Sequence, residues 1–262
     1  MEVKRSGQRD YSNRIWELDA LRGFLILLVV FDHLAWDLGW SGIDFQSKTG
    51  QWLARVSDLY LGGVLRTATH TAFVVLFVAI SGVCCCLSRN NLRRGLRMGL
   101  FAVTLTVVTV VADSIMPGDI AIYFGIIHCI AVCQILYGLL ERIRCPKTVL
   151  FVLAVAALVV GAYYQEAPLG MDVTWQYPFV SNWLGHKESG DFWPLLPFLG
   201  WFLVGALLGK VIYKEGKSVV NVPYEPGLRW LQFAGRHSLA LYFGGQIVGF
   251  GLIFVLVTWC GF

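Results

Sequence analysis

Residues 18–38 have the sequence LDALRGFLILLVVFDHLAWDL, an apolar stretch long enough to cross a bilayer as a helix. Five ionisable residues interrupt this stretch, namely Asp19, Arg22, Asp32, His33 and Asp37. A charge near the bilayer centre costs about 2.5–3.5 kcal/mol on insertion scales, so such residues usually face a protein interior or a water-filled cavity. The stretch therefore predicts a membrane helix with a functional polar strip. The alternative is a set of buried ion pairs that only fix helix packing.

The spacing of these residues indicates which of them act together. Arg22 and His33 are eleven residues apart, so on a helix they share a face and lie about 16 Å apart along the axis. A cation at one end can hold a phosphorylated donor, and an imidazole at the other can act as a base or an acyl carrier. Asp37, one turn beyond His33, is expected to orient its ring or raise its basicity, and Asp19 is expected to pair with Arg22.

Composition places the whole chain in the same class. Hydrophobic residues make up 56% of the 262 residues and charged residues 15%, with a mean hydropathy of +0.63, whereas soluble domains have about 25% charged residues. We predict one all-α domain over 1–262, a polytopic transmembrane bundle of about seven spans. An amphipathic stretch at 50–66 is expected to lie at the membrane interface or to form a re-entrant segment. The spans are 18–38, 70–88, 95–114, 121–140, 147–164, 192–212 and 237–259.

Basic residues predict the orientation. Lys and Arg cluster before the first span and in every second loop after it, as the positive-inside rule requires for cytoplasmic segments. We therefore expect a multi-pass protein of the cell membrane with a cytoplasmic N-terminus and an external C-terminus. The loop at 39–69 is an exception, because it has Lys48, Arg55 and Arg66 on the outer side. The basic residues form no continuous stripe, which argues against nucleic-acid binding. The seven Cys show no metal-ligand spacing and are expected to be packing residues.

Four segments resemble, in order, the heparan-α-glucosaminide N-acetyltransferase catalytic domain family. They are RIWELDALRGFLILLVVFDH (14–33), FGIIHCIAV (124–132), DFWPLLPFLGWFLVGALLG (191–209) and GRHSLALYFGGQ (235–246). The first segment also fits the Arg-x10-His pattern of the related integral membrane acyltransferase-3 proteins. In one departure, Gly245 stands before Gln246 where the family usually has His.

The resemblance implies an acyltransferase that moves an acyl group, most often acetyl, from cytoplasmic acyl-CoA to an outward-facing glycan or amino-sugar acceptor. His33, Asp37, Asp32 and His128 are the expected catalytic residues. Arg22, Asp19 and Arg14 are expected to bind the donor, with Arg14 also placed for lipid headgroups. The expected acceptor-binding residues are Asp191, Asp113, Tyr242 and Gln246. Acyl-CoA is expected as a co-substrate, with no tightly bound cofactor.

Two other functions fit the same residues. A small-molecule or proton-coupled transporter would use the polar strip as a relay or binding site, although no internal repeat is visible. A non-catalytic membrane scaffold is the third reading, and the missing His at Gly245 favours it. The sequence leaves open the acceptor, the acyl length and whether a covalent acyl-histidine forms. It also leaves open whether the protein is a monomer or a homodimer.

Overall fold

A computed structural model describes residues 15–39, 45–115, 121–166, 191–220 and 226–260, and the structural statements below concern these residues. Within them the regular structure is helical, apart from one isolated bridge between Phe124 and Phe192. The α-helices are α1 (Trp16–Gly39), α2 (Lys48–Leu61), α3 (Val64–Val83), α4 (Asn91–Ile115), α5 (Ile126–Arg142), α6 (Lys147–Glu166), α7 (Leu195–Ile212), α8 (Arg229–Arg236) and α9 (Ser238–Cys260).

The prediction of an all-α membrane protein is confirmed. A helix lies at each of the seven predicted spans, namely α1, α3, α4, α5, α6, α7 and α9. Among the described residues, α3, α4, α7 and α9 are long and apolar enough to cross a membrane by length and composition, and α6 is a shorter apolar helix. The count of seven spans and the orientation stay predictions.

The stretch at 50–66 differs from its prediction. It is not one amphipathic element, because α2 ends at Leu61 and α3 begins at Val64. Gly62 and Gly63 separate the two helices, and glycine is a poor residue for a helix interior. Arg66 therefore belongs to the first turn of the apolar helix α3.

Helix α1 packs closely against α8. A Cβ on Gly23 of α1 would collide with the Leu231 backbone, and a Cβ on Gly235 of α8 would collide with the Asp19 backbone. These two glycines let the helix backbones touch. A break at His237 then separates α8 from α9, so that α9 begins with Ser238 next to α1.

The main core lies between α3, α5 and α7. Its fully buried side chains include Val78, Tyr137 and Phe202, one from each helix. α4 packs on α5, and α6 packs on α7. This core leaves the inner faces of α1, α3, α5 and α9 to surround a cavity.

Candidate active site

The cavity has a volume of about 140 Å³ and is elongated. On α1 it is lined by Arg22, Ile26, Val29, Asp32 and His33, so Arg22 and His33 share a face as their spacing predicts. The α3 lining runs from Arg66 to Ser81, which is fifteen residues or about 22 Å of helix. The lining along α3 is therefore about three quarters as long as the roughly 30 Å hydrocarbon thickness of a bilayer.

Two arginines and the start of α9 form one end of the cavity, here called the Arg22 end. Arg22 Nη2 donates to Ser238 Oγ at 2.9 Å. Arg94, at the start of α4, donates from Nη1 to the Cys84 carbonyl at 3.3 Å. A second, basic cleft opens beside it and shares the lining residues Arg94, Met98 and Leu239 with the cavity. The other arginines of this basic cleft are Arg89, Arg93 and Arg97.

His33 follows Asp32 on α1 and lies eleven residues from Arg22, towards the other end of the cavity. Its Nδ1 is 2.8 Å from the Val29 carbonyl oxygen. A carbonyl only accepts, so this contact assigns the proton to Nδ1 and leaves a lone pair on Nε2 in the neutral ring. The Tyr242 ring packs edge-on against the imidazole, with the ring centroids 5.6 Å apart. The imidazole is thus held in the tautomer in which Nε2 is a base or a nucleophile.

The opposite end of the cavity, here called the Asp32 end, contains a network centred on the Asp32 carboxylate. Arg66 donates to both carboxylate oxygens, from Nε at 2.7 Å and from Nη2 at 2.9 Å. The Tyr60 hydroxyl donates to Asp32 Oδ1 at 3.1 Å, and His70 Nε2 is 3.5 Å from Oδ2. Burial and the neighbouring Asp32 charge raise the pKa of Tyr60, so its hydroxyl stays protonated and donates. Trp193 stacks at a tilt on His70, with centroids 5.5 Å apart.

Asp37 is buried away from the cavity lining. Gln246 Nε2 of α9 donates to both of its carboxylate oxygens, at 3.2 and 3.0 Å. The Nδ1 of His33 contacts the Val29 carbonyl oxygen and not Asp37, and the expectation that Asp37 orients the His33 ring or raises its basicity stays a prediction. Similarly, Asp32 is engaged by Arg66 rather than by His33.

His128 lies outside the cavity lining. Its Nδ1 accepts from the Gly125 backbone N–H at 3.2 Å, and its Nε2 is 2.9 Å from Thr106 Oγ1. The first contact caps the start of α5, and the second ties α5 to α4. The structure therefore does not bring His128 to His33, although the two were expected to converge.

The remaining predicted residues fall into three groups. Asp191 and Tyr242 line the cavity, and Tyr242 donates to Asp191 Oδ2 at 3.3 Å. The same oxygen accepts from the Ile126 N–H at 3.0 Å, so Asp191 also caps α5. Asp19 and Asp113 lie outside the lining, near the ends of α1 and α4. Arg14 lies outside the described residues.

Several cavity residues were not selected from the sequence. Arg66, Tyr60 and Trp193 were not chosen as site residues, and His70 was interpreted as interfacial. One observation pointed to Arg66, because it was a cation in a loop that the positive-inside rule assigns to the outer side. Its bidentate contact with Asp32 explains that exception. No sequence pattern distinguished Gln134, which also lines the cavity.

The fold and the cavity define a helical membrane protein with a histidine-containing polar site inside its bundle. The family model described as "Heparan-alpha-glucosaminide N-acetyltransferase, catalytic" matches residues 14–247. The chain belongs to this family, and so to a family of membrane acetyltransferases. Searches of curated proteins and of solved structures found no match. The relation to acyltransferase-3 proteins stays a prediction.

Proposed function

We propose that this protein transfers an acetyl group from cytoplasmic acyl-CoA to a carbohydrate acceptor on the outer side of the cell membrane. The observation that supports this most is a single cavity with arginines at one end and His33 beside the Asp32 network at the other end. Such a cavity lets two substrates approach one imidazole from opposite sides. In this orientation the N-terminus and the Arg22 end face the cytoplasm.

The donor approaches from the Arg22 end. Phosphates of coenzyme A fit the basic cleft of Arg89, Arg93, Arg94 and Arg97, because guanidinium groups bind phosphate oxygens in pairs. The cleft is adjacent to the cavity, and the two share the lining residues Arg94, Met98 and Leu239. A flexible acyl-bearing arm can thus extend past Arg22 towards His33 while the nucleotide stays in the cleft.

The acceptor approaches from the Asp32 end. Trp193 offers an aromatic face for a sugar ring, and Asp191 offers a carboxylate that accepts hydroxyl or amine protons. The two hydrogen bonds between Arg66 and Asp32 hold both side chains in place, so the network forms a rigid rim of the cavity. We assign Asp32 and Arg66 as positioning residues that shape the acceptor side of the cavity.

The chemistry uses the Nε2 lone pair of His33 in one of two ways. In direct transfer, the acceptor oxygen or nitrogen attacks the thioester carbonyl carbon while Nε2 takes its proton. The C–S bond breaks, and the proton passes to the CoA thiolate. In covalent transfer, Nε2 attacks the carbonyl first and the thiolate leaves. The acceptor then attacks the acyl carbon, and the bond between that carbon and Nε2 breaks. The proton of the acceptor passes to the CoA thiolate.

A transfer assay tests the proposal. Purified protein is given acetyl-CoA and glucosamine, and the acetylated sugar is measured for wild type and for His33→Ala. We expect the kcat of His33→Ala to fall at least about 100-fold. His237→Ala is the matched control, because His237 also contacts the carbonyl four residues before it but is exposed outside the cavity.

Two outcomes contradict the proposal. Unchanged turnover in His33→Ala removes His33 from the chemistry. If no sugar or amine accepts acetyl from acetyl-CoA while liposomes containing the protein show solute flux, the transporter function replaces the transferase. Radiolabelled acetyl-CoA without acceptor separates the two routes, since only covalent transfer leaves label on wild type that is absent from His33→Ala.

A further inference from the structure

The Gln134 side chain is buried without a hydrogen-bond partner. It is 0% exposed, and neither Nε2 nor Oε1 has a partner among the residues that the structure describes. A buried polar group left unpaired is unfavourable, and most such groups in proteins are satisfied. An amide in this position therefore indicates a ligand or water that completes its hydrogen bonds.

Gln134 is one of the residues that line the cavity. Helix α5 contributes Ile126, Ile127, Ile130 and Gln134 to the lining, so Gln134 is the polar member of this set. Its other cavity neighbours do not pair with it. Ser81 Oγ, for example, donates to the Phe77 carbonyl of its own helix at 3.0 Å.

The position along the cavity identifies which substrate passes Gln134. The backbone of Gln134 packs at Gly95, the residue after Arg94, where a Cβ would come within 3.0 Å of the Gln134 carbonyl carbon. Gln134 therefore lies at the level of the first turns of α4, which contain Arg94, a residue that lines both the basic cleft and the cavity. An arm that extends from the cleft towards His33 passes this amide.

We propose that Gln134 binds a secondary amide of the pantetheine arm of the donor. A Gln side chain pairs reciprocally with such an amide, because Nε2 donates to its carbonyl oxygen and Oε1 accepts from its N–H. The pantetheine arm of coenzyme A contains two secondary amides between the phosphates and the sulfur. This inference rests on the proposed function, since it assumes that the donor is a CoA thioester.

The test separates the two parts of the donor. Thermal unfolding of purified protein is measured with pantetheine and, separately, with adenosine 3′,5′-bisphosphate, for wild type and for Gln134→Leu. We expect the variant to lose the stabilisation by pantetheine and to keep that by the nucleotide. Without ligand, Gln134→Leu should unfold at the wild-type temperature or above it, because it removes an unpaired buried amide. In Gln134→Leu the KM for acetyl-CoA should rise about tenfold, which corresponds to the loss of one or two net hydrogen bonds.

Gln232→Leu is the matched control. Gln232 is also buried with an unpartnered Nε2 among the described residues, but it lies on α8 outside the cavity lining. It should leave both stabilisations unchanged. If Gln134→Leu does not fold, Gln134→Met, which keeps the side-chain length, takes its place.

The outcomes distinguish this inference from the proposed function. If wild type transfers acetyl and Gln134→Leu keeps its response to pantetheine, the inference is overturned, and the amide is bound to water or to the acceptor. Equal loss of both responses also overturns it, since that indicates a general change of structure. If wild type responds to neither fragment and transfers no acetyl group, the proposed function itself fails.

Discussion

Arg66 on α3 holds the Asp32 carboxylate of α1 with two guanidinium nitrogens, at 2.7 and 2.9 Å. The residues are 34 positions apart, and both are mostly buried, with side chains 19% and 15% exposed. This pair joins the helix that contains His33 to the helix that forms the opposite wall of the cavity.

Breaking this pair on one side should destabilise the protein. Arg66→Gln leaves the Asp32 charge in a poorly solvated place, and we expect a loss of about 3 kcal/mol in the free energy of unfolding. Asp32→Asn combined with Arg66→Gln should recover part of that loss, because no isolated charge remains. Thermal unfolding measures both. Arg55 is an exposed cation on α2, and Arg55→Gln should have no effect. A double variant less stable than Arg66→Gln would contradict the argument.

Arg22 should affect the donor more than the acceptor. Arg22→Gln removes the cation at the Arg22 end, and we expect the KM for acetyl-CoA to rise about tenfold, the value of one charge-assisted hydrogen bond. The acceptor KM should not change. Steady-state kinetics with each substrate varied in turn provide the measurement. Arg142→Gln removes an exposed charge outside the cavity and is the control for long-range electrostatics. An equal rise in the KM for acetyl-CoA in this variant would show that Arg22 does not bind the donor directly.

The contact between Gln246 and Asp37 should contribute to stability. Gln246→Leu leaves the buried carboxylate without the two hydrogen bonds from Nε2, and we expect a loss of about 1–3 kcal/mol. Asp37→Asn keeps an acceptor for Nε2 and should fold with a loss below about 1 kcal/mol. Denaturation of the two variants side by side provides the comparison. Equal losses would show that the carboxylate charge, and not the hydrogen bond, matters.

Close packing of α1 and α8 depends on two glycines. Gly235→Ala places a methyl group against the Asp19 backbone, so the helices must separate, and we expect a loss of about 1–3 kcal/mol. Gly244→Ala is the control, because its Cβ would meet no atom within 4 Å, and alanine favours a helix by about 1 kcal/mol over glycine. Unfolding temperatures should therefore shift in opposite directions, and similar shifts would argue against the packing explanation.

Much of the fold follows from local sequence. The length and composition of the apolar segments predict the helices. In lipid such a segment forms a helix because a helix satisfies all its backbone hydrogen bonds internally. The shared face of Arg22 and His33 follows from helical geometry alone. The four family segments place the chain among acetyltransferases, and residues 14–247 match that family.

Side-chain partners were less predictable. Asp37 was expected to act on His33 because it lies one turn away, and nothing in the sequence indicated its hydrogen bonds with Gln246, 209 residues later. His128 was expected in the cavity, yet its ring bonds to Gly125 and Thr106. The periodicity of one helix determines which of its residues share a face. Which residues of other helices contact that face depends on how several helices pack.

The sequence by itself determined that this protein is helical, lies in a membrane and contains an arginine and a histidine on one face of its first helix. Each of these properties depends on residues within about one helix length. Only the tertiary structure decided that Arg66 binds Asp32 and that Arg94 lines both the basic cleft and the cavity. It also decided that Gln134 lines the cavity with no hydrogen-bond partner among the described residues. Those contacts join helices far apart in the chain, and their geometry is set by close packing, such as that at Gly23 and Gly235.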